Sequence, residues 1–388
     1  VYSLGITHRE NILNEGGPHM SMQRQLVERL ASKAGVVING NDPWDIKVKD
    51  DRFYERALEK NLGLGEAYMD SWWECDQLDE LICRILKNRV DRRIKDGIVF
   101  LLHSLLGRVF NLQSKKRSKI IAERHYDLDN DLFLSFLDPY NQYSCAYFGD
   151  TDDLSKAQQN KLDLICKKIG LNRNDHVLDI GCGWGGFARY AAEHYGCTVT
   201  AVNISREQLR FARESCKELP VNFIDCDYRD IKGTFDKIIS IGMFEHVGHK
   251  NYRRYMQAVH RCLKNGGIFL LHTIGSNEST KTGDPWINKY IFPHGKLPSV
   301  AQIGKAIEGL FVMEDLHNLG PHYDKTLKAW HENFRRAWPR LKVKYDDRFR
   351  RMWEYYLLSC AGLFRARRIQ VWQIVLTKYG TEQPVCRF

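Results

Sequence analysis

The chain has 388 residues, 43% of them apolar and 12% aromatic, so it can bury a sizeable core and is long enough for one large domain plus a smaller one. That composition excludes a disordered chain, and no apolar run approaches the ~18 residues of a membrane span; the best candidate, Ile98 to Val109, is broken by His103 and Gly107. The formal net charge of +10 lies almost wholly in residues 82–119, where eleven Lys and Arg stand against two Asp, and this asks for an anionic partner, nucleic acid or membrane.

Residues 1–19 read as a leader or cloning remnant: GGPHM occupies 16–20, and Arg9, Glu10 and Glu15 leave no apolar stretch for a signal peptide. Residues 20–119 read as a smaller, mainly helical domain. Leu78, Leu81, Ile82, Ile85 and Leu86 recur at helical spacing, as do Ile98, Leu101, Leu102, Leu105, Leu106 and Val109. Such stripes are more often ordinary core faces than faces resting on lipid, and the intervening cations then form a solvated face. The boundary is placed at the Lys/Ser run Ser114 to Lys119. Eleven cysteines without a C-x-x-C pair read as reduced cytoplasmic thiols, and no metal is expected.

Residues 120–388 carry an α/β pattern. Strands are expected at 176–180, 198–202, 221–224, 237–241 and 267–272, with helices at 187–195 and 206–216 between the first three. That alternation predicts a doubly wound, mostly parallel sheet. The first strand runs into a glycine-rich turn holding Gly181 and Gly183, behind the acidic Asp179. A carboxylate there repels a pyrophosphate but suits a sulfonium beside an ammonium. The run VLDIGCGWGG resembles motif I of class I methyltransferases, which implies their Rossmann-like fold and S-adenosylmethionine as cofactor. At the end of the second strand Asn203, with Gln208 a turn later, stands where many such enzymes hold the ribose hydroxyls with Asp or Glu; the amides can bind hydroxyls as well. Asp227 and Tyr228, after the third strand, stand where adenine is gripped.

Four further segments narrow the resemblance: HYDLDND (125–131), LDPYNQYSCAYF (137–148), IGMFEHVGHKNY (241–252) and LLHTIG (270–275). With DPWINKYIFPHGKLPS, LGPHYDKTL and YYLLSCAGLFRAR they resemble the cyclopropane-fatty-acyl-phospholipid synthase family, and are similar to mycolic acid cyclopropane synthases, over about residues 20–380. The resemblance implies methyl transfer from S-adenosylmethionine to the cis double bond of unsaturated phospholipid acyl chains. The resulting carbocation would be deprotonated with the help of bound bicarbonate, closing a cyclopropane ring. Carried over residue by residue, the bicarbonate positions are Cys145, Glu245, His272 and Tyr323, with the Ile274 backbone. Tyr143 and Ser144 match positions near the methionine part of the cofactor, and His125, Tyr126 and Asp127 belong to a segment covering it. The family also implies that 20–119 serve lipid binding and dimerisation, that 120–388 are catalytic, and that a homodimer acts peripherally at the inner face of the membrane through 82–119.

The chemistry imposes its own demands. The site must exclude water, stabilise the cation, then remove a proton from the added methyl. Aromatic faces stabilise cations without quenching them, and the C-terminal part is rich in Tyr, Phe and Trp. Taken singly, Cys145 reads as a buried small hydrophobe and His272 as a satisfied core histidine. Glu245, at a strand end where ligand crevices open, has the better independent case. Cys360 invites reading as a nucleophile, but cyclopropanation needs no covalent enzyme intermediate, so packing is the expectation there. Two other classes compete. A nucleic-acid amino-methyltransferase would carry (D/N)PP(Y/F) after the fourth strand, where this chain has GMFEHVG. A non-catalytic binding protein has no need of the intact cofactor and base motifs.

Overall fold

The computed structural model describes residues 22–92, 130–280 and 283–388. In the N-terminal region the helices Met22–Ser32, Lys60–Met69 and Leu78–Lys87 flank a two-stranded antiparallel ladder, β1 (Lys47–Val48) with β2 (Trp73–Glu74). The expectation of a mainly helical region with no strand alternation leaves out only that ladder, whose two-residue strands are too short for any alternation to show in sequence. The Leu78 stripe is a core face: Leu78, Leu81 and Ile82 are buried against the C-terminal helix Asp347–Arg365. Gly362 sets the approach of these helices, since a Cβ there would stand 2.5 Å from the Asp79 carbonyl oxygen. Arg365 pins the crossing by donating to Asp79 at 2.5 Å and to Asp324 at 2.9 Å. Arg351 donates to the carbonyls of Tyr68 and Trp73 at 2.5 and 2.9 Å, tying its helix to the end of helix Lys60–Met69 and to β2. Tyr68, Trp73, Leu81, Tyr355 and Leu357 accordingly belong to one continuous core. The Ser114–Lys119 boundary, the second apolar stripe, most of the basic stretch and His125–Asp127 lie outside the described residues.

The C-terminal part is built on a seven-stranded sheet. Its strands are β3 (His176–Ile180), β4 (Thr198–Asn203), β5 (Val221–Asp225), β6 (Phe235–Ile241), β7 (Leu263–Ser276), β8 (Val312–Asn318) and β9 (Ile369–Thr377), in the spatial order β5-β4-β3-β6-β7-β9-β8. The first five pair in parallel, and β9 is antiparallel to both neighbours. This is the α/β, Rossmann-like doubly wound sheet of class I methyltransferases with an antiparallel insertion at one side. β3 and β7 are apolar on both faces because helices cover both, which is why they read as continuous apolar runs.

Two features position the site. The chain leaves β3 in one direction toward β4 and returns to its other side as β6, so a crevice opens beyond the carboxyl ends of these strands. The long helices Gly320–Leu341 and Asp347–Arg365, with the extended segment from 138 to 148, then cover that crevice. Neither the antiparallel pairing nor this cover is signalled by the βα alternation.

Candidate active site

A cavity of about 560 Å³ occupies the crevice. Gly181 and Gly183 turn the chain out of β3 with φ of +83° and +54°, which L side chains rarely adopt, and a Cβ on Gly181 would meet Met243 at 2.7 Å. Asp179 lies immediately before this turn. Burial pushes its carboxyl up to about 7, opposed by the Lys161 ammonium, and its Oδ2 has no hydrogen-bond partner among the described residues. Asn203 donates to the Gln208 side chain at 2.8 Å and to the Gly183 carbonyl at 3.3 Å, tying the second strand end to the glycine turn. Asp227 caps the short turn Tyr228–Asp230 and pairs with Arg229 at 3.2 Å. Tyr228 is buried and packs against Tyr255, with ring centroids 5.1 Å apart. Together with Tyr143 and Ser144, all these expected cofactor residues line the same cavity.

The expected acid–base residues stand along it. Glu245 follows β6 in the short turn Phe244–His246, and its Oε1 accepts a 2.6 Å hydrogen bond from the Ile274 amide on β7. Its Oε2 is buried without a partner among the described residues, and burial drives the carboxyl up to about 7 against the Ile274 amide. His272, two residues before Ile274, is fully buried. Its Nε2 is likewise unpaired, while Gln373, opposite it on β9, places Nε2 at 3.5 Å from its Nδ1. Burial, with the Lys161 and Lys168 cations, pushes its pKa well below the usual imidazole value, so the ring is neutral. Burial raises the Tyr323 phenol well above its normal range, so it stays protonated as a donor. Glu245, His272, Ile274 and Tyr323 all line the cavity.

Cys145 departs from the expected cluster. It is fully buried but does not line the cavity; its thiol is directed at the carbonyls of Ala146 and Leu319, at 3.2 and 3.8 Å. Cys360 does line the cavity, but burial holds its thiol up at about 12, which leaves no nucleophilic thiolate at neutral pH.

Several groups escaped the sequence reading. Lys161, fully buried in helix Leu154–Lys168, donates to the Gln142 side chain and, at 3.1 Å, to Ser144 Oγ. Burial lowers its pKa to about 8, opposed by Asp138, Cys145 and Asp179. Gln158 donates to the Ser144 carbonyl at 2.9 Å. Trp330, Tyr356 and Phe364 join the expected Tyr143 and Tyr323 in an aromatic wall on the far side: Tyr143 lies 5.2 Å from Trp330 by ring centroid, its hydroxyl is 2.8 Å from that of Tyr356, and Tyr323 packs on Phe364 at 4.6 Å. The signal for Lys161 was present as Gln158, Lys161, Leu162 and Ile165 on one helix face, but a lysine on such a face ordinarily reads as its solvated edge.

The mycolic acid cyclopropane synthetase family model matches residues 113–374. The cyclopropane-fatty-acyl-phospholipid synthase of Escherichia coli is 52% identical over 355 residues, 91% of this chain and 93% of its own. A tuberculostearic acid methyltransferase of Mycobacterium tuberculosis is 34% identical across 82% of this chain and 79% of its own. A solved mycolic acid cyclopropane synthase, complexed with SAH and CTAB, matches with a TM-score of 0.63 and 32% identity over 67% of this chain and 98% of that one. The cavity and the residues expected along it thus sit on a fold and a sequence with one kinship: the chain belongs to the mycolic acid cyclopropane synthetase family, and so to the S-adenosylmethionine-dependent methyltransferases.

Proposed function

We propose that the protein transfers the methyl group of S-adenosylmethionine to the cis double bond of an unsaturated phospholipid acyl chain and closes a cyclopropane ring there. One observation carries this reading: an unpaired buried carboxylate, Asp179, and the acid–base groups Glu245 and His272 stand along a single aromatic-walled cavity. The solved relative is complexed with SAH and CTAB, and the Escherichia coli relative is named for this phospholipid product.

S-adenosylmethionine fits the first end, where Asp179 offers an uncompensated oxygen to a cationic ligand; when bound it supplies an electrophilic methyl. Alkylation of the alkene leaves a positive carbon on the acyl chain. The faces of Tyr143, Phe292, Tyr323 and Tyr356 stabilise that charge, and the covering helices keep away the water that would trap it. Bicarbonate fits the second group, because Glu245 Oε2, His272 Nε2 and the Tyr323 hydroxyl are buried polar groups suited to an anion that both accepts and donates. Bound there, it supplies a basic oxygen for the proton lost in ring closure. Glu245 can sit beside an anion because its raised pKa lets it remain protonated near neutrality. The Ile274 amide fixes its orientation, and the neutral His272 holds one donor and one acceptor nitrogen. In this proposal Cys145 contributes only packing behind the cluster.

The substrate is drawn from a bilayer, and the proposal extends to a homodimer lying peripherally on the inner face of the membrane through residues 82–119. Among the described residues no helix is long and apolar enough to cross a membrane. Incubation with S-adenosylmethionine and vesicles of unsaturated anionic phospholipid tests the function. A gain of one CH2 unit with loss of the double bond is expected. The same gain with a methyl branch or a retained double bond overturns ring closure, and no gain with cofactor bound overturns the lipid acceptor.

A further inference from the structure

The cavity does not end at the acid–base groups. Beyond Ile274 its lining continues along β7 to Ser276 and then to Asn277, Glu278, Thr280, Arg368 and Ile369, several of which are exposed. At ~3.4 Å per residue, the four steps from His272 to Ser276 place this opening roughly 14 Å from the chemistry. It is a mouth at the depth of a partly inserted chain.

Two helices finish at this mouth, and both finish unusually. Helix Leu78–Lys87 is followed by Arg89 at φ +55°, and helix Asp347–Arg365 by Arg367 at φ +58°. Glycine is the usual residue at such left-handed helix ends, because a side chain there costs energy. Next to these turns, Arg92 pairs with Glu278 at 2.7 Å and Arg368 with Asp91 at 3.5 Å. The side chains stay partly open to solvent: 45% for Arg92, 64% for Glu278 and 37% for Arg368. Arg89, Arg92 and Arg368 all act on Glu278, drawing its carboxyl below the normal range. Half-exposed ion pairs of this kind contribute little to stability and exchange readily for another anion.

We propose that Arg92 and Arg368, with Arg89 beside them, bind the phosphodiester of the phospholipid whose acyl chain occupies the cavity, and that this group displaces the Glu278 carboxylate. The inference rests on the proposed acyl-lipid substrate and adds the headgroup contact. Guanidinium forks match phosphate oxygens in bidentate fashion, which a single carboxylate pair leaves underused. A phosphate at the mouth fixes the depth to which the chain enters, and so which carbon atoms reach Glu245 and His272. The N-terminal region contributes Arg89 and Arg92, the catalytic part Arg368, so the site joins both regions.

The test uses the full-length protein with mixed micelles of a nonionic detergent containing either unsaturated phosphatidylglycerol or unsaturated diacylglycerol of the same acyl chains. The readout is the ratio of kcat/KM for the two lipids. The wild-type protein should favour the phospholipid, and Arg92→Gln or Arg368→Gln should each lower the ratio about five- to tenfold, mostly through KM. Glu278→Gln should act oppositely, lowering the phospholipid KM by removing the competing carboxylate. A purely structural role, such as offsetting two helix carboxyl ends, would lower Tm without moving the ratio, and that result overturns the proposal. Inorganic phosphate at matched ionic strength separates the anion sources: inhibition by phosphate with an unchanged ratio would assign a free-phosphate site and overturn the headgroup contact. Equal turnover of both lipids by the wild type overturns this inference alone, whereas turnover of neither overturns the acyl-lipid reading itself.

Discussion

The Glu245 carboxylate and the Ile274 amide meet across the ends of β6 and β7 at 2.6 Å, and this contact decides how the carboxylate can act. One oxygen is anchored to a rigid strand, while the other is held buried and unpaired. A carboxylate so placed cannot turn away to solvent, and its pKa of about 7 leaves both protonation states accessible near neutrality. Glu245→Gln should therefore lower turnover at least ~100-fold with cofactor affinity nearly unchanged, as the loss of an acid–base element does. Steady-state kinetics beside calorimetric cofactor titration checks this. Weakened cofactor binding with little loss of turnover would contradict the role.

Asp179 makes a prediction in pH. Its carboxyl titrates at about 7 in the folded protein, raised by burial, against ~3.9 in an unfolded chain. The folded state thus holds a proton the unfolded state has lost, and the associated stability is fully present below about pH 4 and disappears as pH rises through about 7. Asp179→Asn carries no such loss. In the cofactor-free protein it should be more stable than wild type by an amount on the order of 3 kcal/mol at about pH 8, and nearly equal to it at about pH 4. The same variant should bind S-adenosylmethionine poorly, since the neutral amide no longer attracts a cation. Urea unfolding at the two pH values, with cofactor titration, measures both effects.

Lys161 tests whether a residue outside the cavity governs its cofactor end. Removing its ammonium releases Gln142 and Ser144 and leaves Asp138 and Asp179 without their buried counter-charge. Lys161→Met is expected to raise the cofactor Kd about tenfold or more. It should also move the pH at which cofactor affinity rises upward, because the Asp179 carboxyl loses the cation opposing its protonation. A merely packed lysine would alter stability and leave that pH where it is.

Arg365, anchored by Asp324 within its own part, holds the N-terminal region through Asp79 and Glu80. Arg365→Gln leaves Asp79 buried, with Lys328 as a distant partner at 3.9 Å. A loss of about 2–4 kcal/mol is expected, less than for a fully buried pair because Arg365 is partly exposed. Thermal unfolding reads the loss; limited proteolysis near residue 92 should rise in parallel if the two regions separate first.

The glycine turn after β3, the five parallel strands and the strand-end positions Asp179, Asn203 and Glu245 were legible because each follows from a local pattern, a short apolar run ended by a glycine or a polar residue, whereas His272, alone a core histidine, was singled out only by the resemblance of the LLHTIG segment. β9 was not legible. No strand was expected at IQVWQIVLT, and only its antiparallel register with β7 places Gln373 opposite His272. Tyr323 and Tyr356 come from helices far along the chain, so their convergence on the cavity is a tertiary fact with no local signature. Lys161 was hidden for a different reason: a long cationic side chain on an amphipathic helix is ordinarily solvated, and only its depth against Gln142 and Ser144 shows otherwise. Cys145 was placed in the cluster by motif alone, whereas its thiol is directed at the carbonyls of Ala146 and Leu319.

The most direct test of ring closure is the fate of an isotopically labelled methyl group. With S-adenosylmethionine bearing a fully deuterated methyl and vesicles of unsaturated phospholipid, the account predicts an acyl product that keeps two of the three deuterons, has no double bond and carries no terminal methyl branch. One deuteron is lost because the cluster around Glu245 and His272 removes it as the ring forms. A product that retains all three deuterons, as a methyl branch does, would contradict that central claim.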